Sequence, residues 1–163
     1  MSLPLVTFDE YRELANNEIQ YELFNGIVLM SPSPSLKHQL LSGKLQSELR
    51  MKKQNCTVVQ AYGYRFAKDT YLIPDISVLC DKDEFPIIVM EIISPGNAFN
   101  DRKYKLHAYR EYGIKEYWMI DLENEIFTVH TFSQDIVNTY TVGQIAKSLV
   151  LPWVEIEVDF TVD

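Results

Sequence analysis

The sequence lacks the features that would directly assign a common function class. It has no glycine-rich phosphate loop, which argues against a nucleotide-binding doubly wound fold. Its longest apolar runs, such as residues 87–90, are far too short to cross a membrane. The start at Met1, soon followed by acidic residues, is not typical of a secretion signal. Two cysteines, Cys56 and Cys80, match no metal or redox spacing, so we expect a reduced, cytoplasmic protein.

Positive charge is scarce and unevenly distributed. The net charge is −8, yet residues 1–115 carry 14 basic and 14 acidic side chains, whereas residues 116–163 carry 1 lysine and 9 acidic side chains. An acidic chain argues against a general nucleic-acid-binding surface, although phosphate contacts are local and remain compatible with it. Two basic stretches read either as solvated helix faces or as phosphate contacts. They are Lys37, Lys44, Arg50, Lys52 and Lys53, and Arg102, Lys103, Lys105 and Arg110.

The rest of the composition is that of a globular protein. Apolar residues make up 47% of the chain and aromatic residues 12%, enough for one domain over residues 1–163. The patterns along the chain run helix, hairpin, helix, several strands, helix and further strands. This order lacks a regular strand–helix–strand alternation. It predicts an α/β fold with a mixed central sheet flanked by helices.

Three segments carry helix signals. Thr7 and Glu10 form a capping box ahead of a short helix. A serine–proline breaker at residues 31–35 precedes leucines at four-residue steps, which predict an amphipathic helix. A third helix is predicted over about Asp101–Tyr112, with Gly113 as the residue that ends it. The leucines of the second helix are Leu41, Leu45 and Leu49.

Strand patterns fill much of the remaining chain. An Asn-Gly pair at residues 25–26 separates two apolar runs and predicts a hairpin. Alternation over Val58–Phe66 predicts one strand, and Tyr71–Cys80 predicts a second one that Pro74 interrupts. The nearly continuous apolar run Ile87–Ile93 predicts a central strand covered on both faces. Later strands are predicted at Glu116–Ile120, Phe127–Phe132, Asn138–Val142 and within Leu151–Val162.

Glu91 is the charged residue within the apolar run Ile87–Ile93. An unpaired carboxylate buried in such a strand would be destabilising by several kcal/mol. Glu91 must therefore be protonated, paired with a base, placed at a strand end or bound to a cation. A structural ion pair and a metal-binding or catalytic role both stay open at this point.

Asp75 strengthens the metal-binding interpretation. It follows Pro74, which bars a ladder hydrogen bond and so distorts the strand or leaves it paired on one side. If the strands of Asp75 and Glu91 pair as a hairpin, the two carboxylates can lie side by side. Close carboxylates are stable mainly when they share a proton or a cation. Oxygen ligands in this number suit Mg²⁺ or Mn²⁺, with water completing the octahedron.

Two further side chains are candidates for the same site. Lys105 lies on a helical stripe with Asp101 and Tyr109, and an aromatic stripe should face the protein. A lysine there needs an anion, and Glu91 precedes its helix by one loop. The alternative is a surface Asp101–Lys105 salt bridge, worth about 0.3–0.5 kcal/mol. His38 reads either as a hydrogen-bonded boundary histidine or as a phosphate contact.

The arrangement of these residues resembles the PD-(D/E)XK nuclease superfamily, in which Pro-Asp is followed by an acidic residue in an apolar strand. Here Glu91 follows Asp75 by sixteen residues. More narrowly, roughly residues 7–132 resemble the Uma-two family of restriction endonucleases. The set of matching segments in this order is highly specific. The segments are Tyr21–Gly26, Met30–Ser35, Pro74–Val78, Glu91–Pro95, Asp101–Lys105, Tyr109 and Gly113–Trp118.

The resemblance implies a restriction-endonuclease-like domain that cleaves DNA with Mg²⁺ or Mn²⁺ and acts as a homodimer. One position departs from the superfamily pattern, because Ile93 stands where the (D/E)XK signature has lysine. In the family this slot is commonly apolar, which implies that Lys105 takes over. The implied metal ligands are Asp75, Glu91, the Ile92 carbonyl and Glu22, and the implied catalytic residues are Asp75, Glu91, Lys105 and Glu22.

A non-enzymatic interpretation stays open. The acidic surface and the missing lysine at Ile93 also fit a binding or regulatory module that has lost catalysis. A hydrolase for another phosphate ester is a third reading, but no nucleoside or small-phosphate motif supports it. Metal binding distinguishes the module from the nuclease, because a module can hold Asp75 and Glu91 with lysine or arginine alone.

Overall fold

The computed structural model describes residues 5–14, 21–30, 33–94 and 98–163, with the backbone alone at residue 14 and residues 98–101. The helices are α1 (Phe8–Leu14), α2 (Leu36–Lys52) and α3 (Ala98–Glu111). The strands are β1 (Tyr21–Phe24), β2 (Ile27–Met30), β3 (Cys56–Gln60), β4 (Tyr64–Ala67), β5 (Thr70–Leu72), β6 (Ile76–Cys80), β7 (Ile88–Ile93), β8 (Glu116–Asp121), β9 (Ile126–Thr131), β10 (Ile136–Thr141), β11 (Ile145–Lys147) and β12 (Glu155–Glu157).

The chain divides into two compact units. The smaller unit comprises Met1–Pro34 and Gly63–Ile73, and the larger unit comprises Ser35–Tyr62 and Pro74–Asp163. Each unit therefore contains two separate stretches of chain. That residues 1–163 form a single domain stays a prediction.

The smaller unit is built on a four-stranded antiparallel sheet in the order β2-β1-β5-β4. Asn25 and Gly26, with φ of 48° and 78°, form the two-residue turn of the predicted hairpin. The predicted capping box is also present. The Glu10 carboxylate accepts a hydrogen bond from the Thr7 amide at 2.8 Å, and the Thr7 hydroxyl accepts one from the Glu10 amide at 3.3 Å. These bonds satisfy amides at the start of α1.

The larger unit centres on a six-stranded mixed sheet in the order β10-β9-β8-β7-β6-β3, in which β7 and β8 are parallel. The leucines of α2 belong to one core cluster with Trp118 of β8. The adjacent residue Tyr117 meets Tyr109 of α3 instead, and strand alternation places it on the other face. Helices therefore cover both faces, and the predicted mixed α/β sheet flanked by helices is confirmed. β11 and β12 form a separate two-stranded sheet, of which only β12 falls in a predicted segment.

The segments predicted as Val58–Phe66 and Tyr71–Cys80 each contain two strands, so the prediction of one strand apiece is wrong. β3 and β6 belong to the six-stranded sheet, whereas β4 and β5 belong to the four-stranded sheet. The first segment breaks at Ala61, which has a φ of 48°, and the second breaks at Pro74, which has no N–H for a ladder. Side-chain alternation does not reveal that the chain changes sheet at these points.

The helix boundaries follow the predicted signals closely. The Ser35 hydroxyl accepts a hydrogen bond from the His38 amide at 3.2 Å and caps α2, while residues 31–32 of the predicted breaker lie outside the described residues. α3 begins at Ala98, three residues earlier than predicted, and Gly113 follows its end with a φ of 82°. None of the described helices is both long and apolar enough to span a bilayer.

The expectation of reduced cysteines is wrong, because Cys56 and Cys80 form a disulfide. Cys56 begins β3, Cys80 ends β6, and the two are directly opposed in the register. They lie 24 residues apart in sequence, so strand pairing rather than spacing brings their sulfur atoms together. The bond joins edge strand β3 covalently to the strand that begins just after Asp75. A cytoplasmic location stays a prediction.

His130 on β9 should make stability depend on pH. Burial lowers the pKa of His130, and the positive charge of Arg110 lowers it further. Its contribution to stability is therefore present above the unfolded pKa of about 6.5 and is lost as the pH falls through the lower folded pKa. In urea denaturation, the parent should lose more stability than His130→Phe between roughly pH 7.5 and pH 5. Equal losses in the two proteins would contradict this assignment.

Candidate functional site

Asp75 and Glu91 lie where the pairing of β6 with β7 ends. The last pair in the antiparallel register joins Ile76 to Met90. Continuing the register by one residue places Asp75 opposite Glu91, so the predicted pairing of their strands is confirmed. Asp75 itself occupies a bend just before β6. Its carboxylate is therefore positioned by hydrogen bonds rather than by the regular pleat of the sheet.

Pro74 interrupts the ladder beside the backbone of Ile92. The same register places these two residues opposite each other. Successive strand residues direct their backbone groups to opposite neighbours, and the Ile93 carbonyl accepts from the Leu122 amide on the β8 side. The backbone groups of Ile92 consequently face β6. In a regular ladder the residue opposite would donate to the Ile92 carbonyl, but proline has no N–H to give.

The Asp75 carboxylate is held by two donors on one oxygen. Oδ2 accepts the Ile92 amide at 2.7 Å and lies 3.2 Å from Nε2 of His38. In a regular ladder the Ile92 amide would donate to a backbone carbonyl of the neighbouring strand. Here it donates to the Asp75 carboxylate instead. Among the described residues no hydrogen bond reaches Oδ1, and the Asp75 side chain is 22% exposed. Asp75 thus has one fixed oxygen and one oxygen that can take a further ligand.

His38 belongs to the first turn of α2, where its backbone amide bonds to Ser35. Burial by itself would lower the pKa of His38, but the hydrogen bond and the negative charge of Asp75 raise it more, so the pKa lies above its usual value. The other ring nitrogen, Nδ1, is buried and has no hydrogen-bond partner within the described part of the chain. The interpretation of His38 as a hydrogen-bonded boundary residue is confirmed.

Glu91 is buried in an ion pair. Its Oε1 accepts hydrogen bonds from Lys105 Nζ at 2.9 Å and from the Tyr109 hydroxyl at 2.7 Å. Both donors come from α3, where positions four residues apart share a face. The side chains of Lys105 and Glu91 are 8% and 7% exposed. Lys105 therefore does not lie at the surface, as the alternative of an Asp101–Lys105 surface salt bridge required. The Asp101 side chain lies outside the described residues, so its pairing with Lys105 stays untested.

Glu22 belongs to the smaller unit. It lies on β1, is 2% exposed, and accepts a hydrogen bond from the Ile73 amide at 2.7 Å. Charged side chains are almost never fully buried unless they are paired. The approach of Glu22 to a metal, implied by the resemblance, stays a prediction.

Most side chains of the two basic stretches form hydrogen bonds or ion pairs within the chain. Lys44 bonds to Asp159, Lys52 bonds to Glu48, and Arg50 donates to the Val58 carbonyl. Arg102 pairs with Asp121, and Arg110 pairs with Asp135. Such side chains are less available for phosphate. Within these two stretches, the side chains that remain exposed, with no intrachain ion pair in the described residues, are Lys37, Lys53 and Lys103.

The oxygen atoms at the site fit a hard divalent cation only if backbone and water contribute. No three histidine, cysteine, aspartate or glutamate side chains are grouped to hold a metal ion within the described residues. Asp75, Glu91 and the Ile92 carbonyl, which receives no ladder hydrogen bond from Pro74, would make three protein oxygens. Mg²⁺ commonly takes one or two carboxylates and keeps several waters. This donor set is compatible with Mg²⁺ or Mn²⁺.

Two side chains at the site were not assigned from the sequence. The helical spacing places Tyr109 on the correct face of α3 but does not indicate its bond to Glu91. The sequence does not indicate Asp75 as the partner of His38. A tyrosine spaced four residues from Lys105 was the available signal for the first. No sequence signal links His38 to Asp75, because the two residues lie 37 positions apart in the sequence.

Comparisons with known proteins identify the family of the chain and a solved structure with a similar fold. Residues 8–161 match the sequence profile of the Uma2 family, described as "Putative restriction endonuclease". The chain is also similar to a solved structure, a "putative nuclease belonging to DUF820 from Anabaena variabilis ATCC 29413". That similarity has a TM-score of 0.80 at 17% identity and covers 94% of this chain and 95% of the other. The two share a restriction-endonuclease-like fold, as predicted. No curated protein matches.

Proposed function

Because the chain belongs to the Uma2 family of restriction endonucleases, we propose that it is a metal-dependent endonuclease that hydrolyses phosphodiester bonds in DNA. The observation that carries the proposal is the buried ion pair between Glu91 and Lys105. It lies next to Asp75, because Ile92, which follows Glu91 on β7, donates its amide to the Asp75 carboxylate. Carboxylates and a backbone oxygen can hold the metal ion of a phosphoryl-transfer site, and an amine can stabilise the charge on the phosphate. Their strongly interacting, shielded environment is typical of functional sites.

Asp75, Glu91 and the Ile92 carbonyl would hold Mg²⁺ or Mn²⁺. When bound, such an ion lowers the pKa of a coordinated water and neutralises charge on the scissile phosphate. The chain contributes preorganisation, since the Ile92 amide and His38 fix one oxygen of Asp75 before any ligand arrives. Glu22 stays the further acidic ligand that the family resemblance implies.

Lys105 would act on the reacting groups. Its amine can orient the attacking water or stabilise the negative charge that develops on the phosphorane. The Glu91 carboxylate holds Nζ at 2.9 Å within a buried environment, which keeps the amine at a defined place. Lys105 thereby supplies the amine that the (D/E)XK signature would have placed at Ile93.

The proposed partner is DNA. The exposed Lys37, Lys53 and Lys103 are the basic side chains best able to contact its phosphates, because other members of both stretches bond within the chain. A homodimer would bring two such sites to two strands. Homodimerisation and a cytoplasmic location are expectations that accompany the proposal.

One observation favours a second candidate, a binding module of the same fold without catalysis. Glu91 already has a cation in Lys105 and a hydroxyl donor in Tyr109, so its burial is compensated without a metal. In such a module Lys105 is structural. Metal binding by the purified protein distinguishes the two functions.

A plasmid assay tests the endonuclease directly. The parent should nick or linearise supercoiled DNA in Mg²⁺ or Mn²⁺ and not in EDTA. Asp75→Ala should reduce the rate by roughly 100-fold or more, because a proposed ligand is lost. Asp83→Ala, at an exposed aspartate after β6, is the matched control and should cleave like the parent. If Asp75→Ala cuts as fast as Asp83→Ala, the proposed function is wrong.

A further inference from the structure

His38 and Ile92 converge on a single oxygen of Asp75. The imidazole comes from α2 and the amide comes from β7, so two different elements hold Oδ2, at 3.2 Å and 2.7 Å. A carboxylate held by two donors from different directions cannot rotate without losing at least one bond. The direction of Oδ1 is therefore determined by His38 as well as by the backbone.

The imidazole is itself held in place by the start of α2. The Ser35 hydroxyl accepts from the His38 amide at 3.2 Å, and the Ser35 carbonyl accepts from the Gln39 amide at 3.0 Å. This N-cap fixes the first turn, from which the side chain reaches Asp75. The serine–proline breaker thus has a consequence for the site as well as for the helix.

The energetics of His38 favour a role at the site over a role in packing. Nδ1 is buried and has no hydrogen-bond partner within the described residues, and leaving a desolvated polar atom unsatisfied costs stability. An apolar side chain at this half-buried position would avoid that cost. What the imidazole adds, relative to such a side chain, is the Nε2 hydrogen bond to Asp75 and a polar interaction with the Ile92 backbone.

We propose that His38 is a positioning residue, which orients the Asp75 carboxylate for binding a divalent cation. The inference rests on the proposed metal site and deepens it. Hydrogen-bonded partners of ligating carboxylates typically change metal affinity by about 10–100-fold when removed. His38 acts through Asp75, and its effect should appear in metal affinity before any substrate is added.

Calorimetric titration with Mn²⁺, without DNA and at the same pH for every protein, tests the role. His38→Leu and His38→Asn should bind Mn²⁺ about 10-fold or more weakly than the parent, since neither places a donor at the Nε2 position. His38→Gln, whose amide nitrogen reaches that position, should stay within about threefold of the parent. His130→Leu, at another partly buried histidine, should bind like the parent.

The outcomes separate this role from the function itself. If the parent binds no Mn²⁺, the proposed function fails and the positioning role fails with it. If the parent binds Mn²⁺ and His38→Asn binds equally well, only the positioning role is overturned. A His38→Gln protein as weak as His38→Asn also overturns it, because the N–H donor would then not be what matters. If circular dichroism shows that His38→Leu does not fold, the comparison of Mn²⁺ affinity between His38→Gln and His38→Asn tests the positioning role.

Discussion

Lys105→Met should lower the free energy of unfolding of the metal-free protein by about 3–5 kcal/mol. The substitution keeps a long side chain but removes the cation that pairs with Glu91 at 2.9 Å. Both side chains are more than nine-tenths buried, so water cannot easily solvate the remaining carboxylate. Urea denaturation in EDTA measures the loss. Lys82→Met, at an exposed lysine, should change stability by less than about 0.5 kcal/mol.

Mn²⁺ should restore part of this stability. A ligand that binds only the folded protein stabilises it by about 2.7 kcal/mol at a concentration 100 times its Kd. The gain should be larger for Lys105→Met than for the parent, because the divalent cation also replaces the positive charge lost beside Glu91. In a binding module with no metal site, Mn²⁺ would stabilise neither protein. The same titration therefore tests the endonuclease against its main alternative.

The double variant Lys105→Met/Glu91→Leu provides the internal control. Replacing a buried ion pair by apolar residues of similar volume is often close to neutral, so the double variant should be more stable than Lys105→Met alone. It should bind no Mn²⁺, because a proposed ligand is gone. A Lys105→Met protein as stable as the parent would contradict the buried ion pair. Plasmid cleavage by Lys105→Met should fall by roughly 100-fold or more even where Mn²⁺ restores folding.

The candidate site could be predicted from the sequence where local pattern conflicts with burial. Glu91 stands out because a charge interrupts an apolar strand, and Asp75 stands out because a proline precedes it. The helix face of Lys105 followed from the spacing of its aromatic neighbour Tyr109. In each case a single stretch of chain shows both the regular pattern and the residue that departs from it. The inference therefore does not depend on knowing which elements pack against that stretch.

Contacts that depend on tertiary register could not be predicted. The bond between His38 and Asp75 requires knowing where the first turn of α2 lies relative to β6. The disulfide requires the register of β3 on β6, which opposes Cys56 to Cys80. The strand breaks at Ala61 and Pro74 separate segments that share one alternation pattern but belong to different sheets. Alternation indicates which side chains of a strand share a face of the sheet. It does not indicate which other strand pairs with it, or in which register.

Glu116 was predicted only as the first residue of a strand, yet it is a completely buried carboxylate. Its Oε1 accepts from the Thr131 hydroxyl at 3.1 Å and the Leu149 amide at 2.7 Å, and its Oε2 accepts from Trp118 Nε1 at 3.0 Å. The three donors come from β8, β9 and the segment after β11. Glu116 therefore joins parts of the larger unit that are far apart in sequence.

Glu116→Ala should lower the free energy of unfolding by about 3–5 kcal/mol, because it leaves three buried donors unsatisfied and opens a cavity. Glu116→Gln should cost less, since its amide oxygen can still accept from Thr131 and Leu149 while only the Trp118 bond is lost. Urea denaturation of both variants, with the exposed Glu123→Ala as the matched control, measures the difference. Mn²⁺ affinity should stay near the parent value in folded Glu116→Gln, because Glu116 bonds to neither Asp75 nor Glu91. A Glu116→Ala protein as stable as Glu123→Ala would show that this network does not hold β8, β9 and the segment after β11 together.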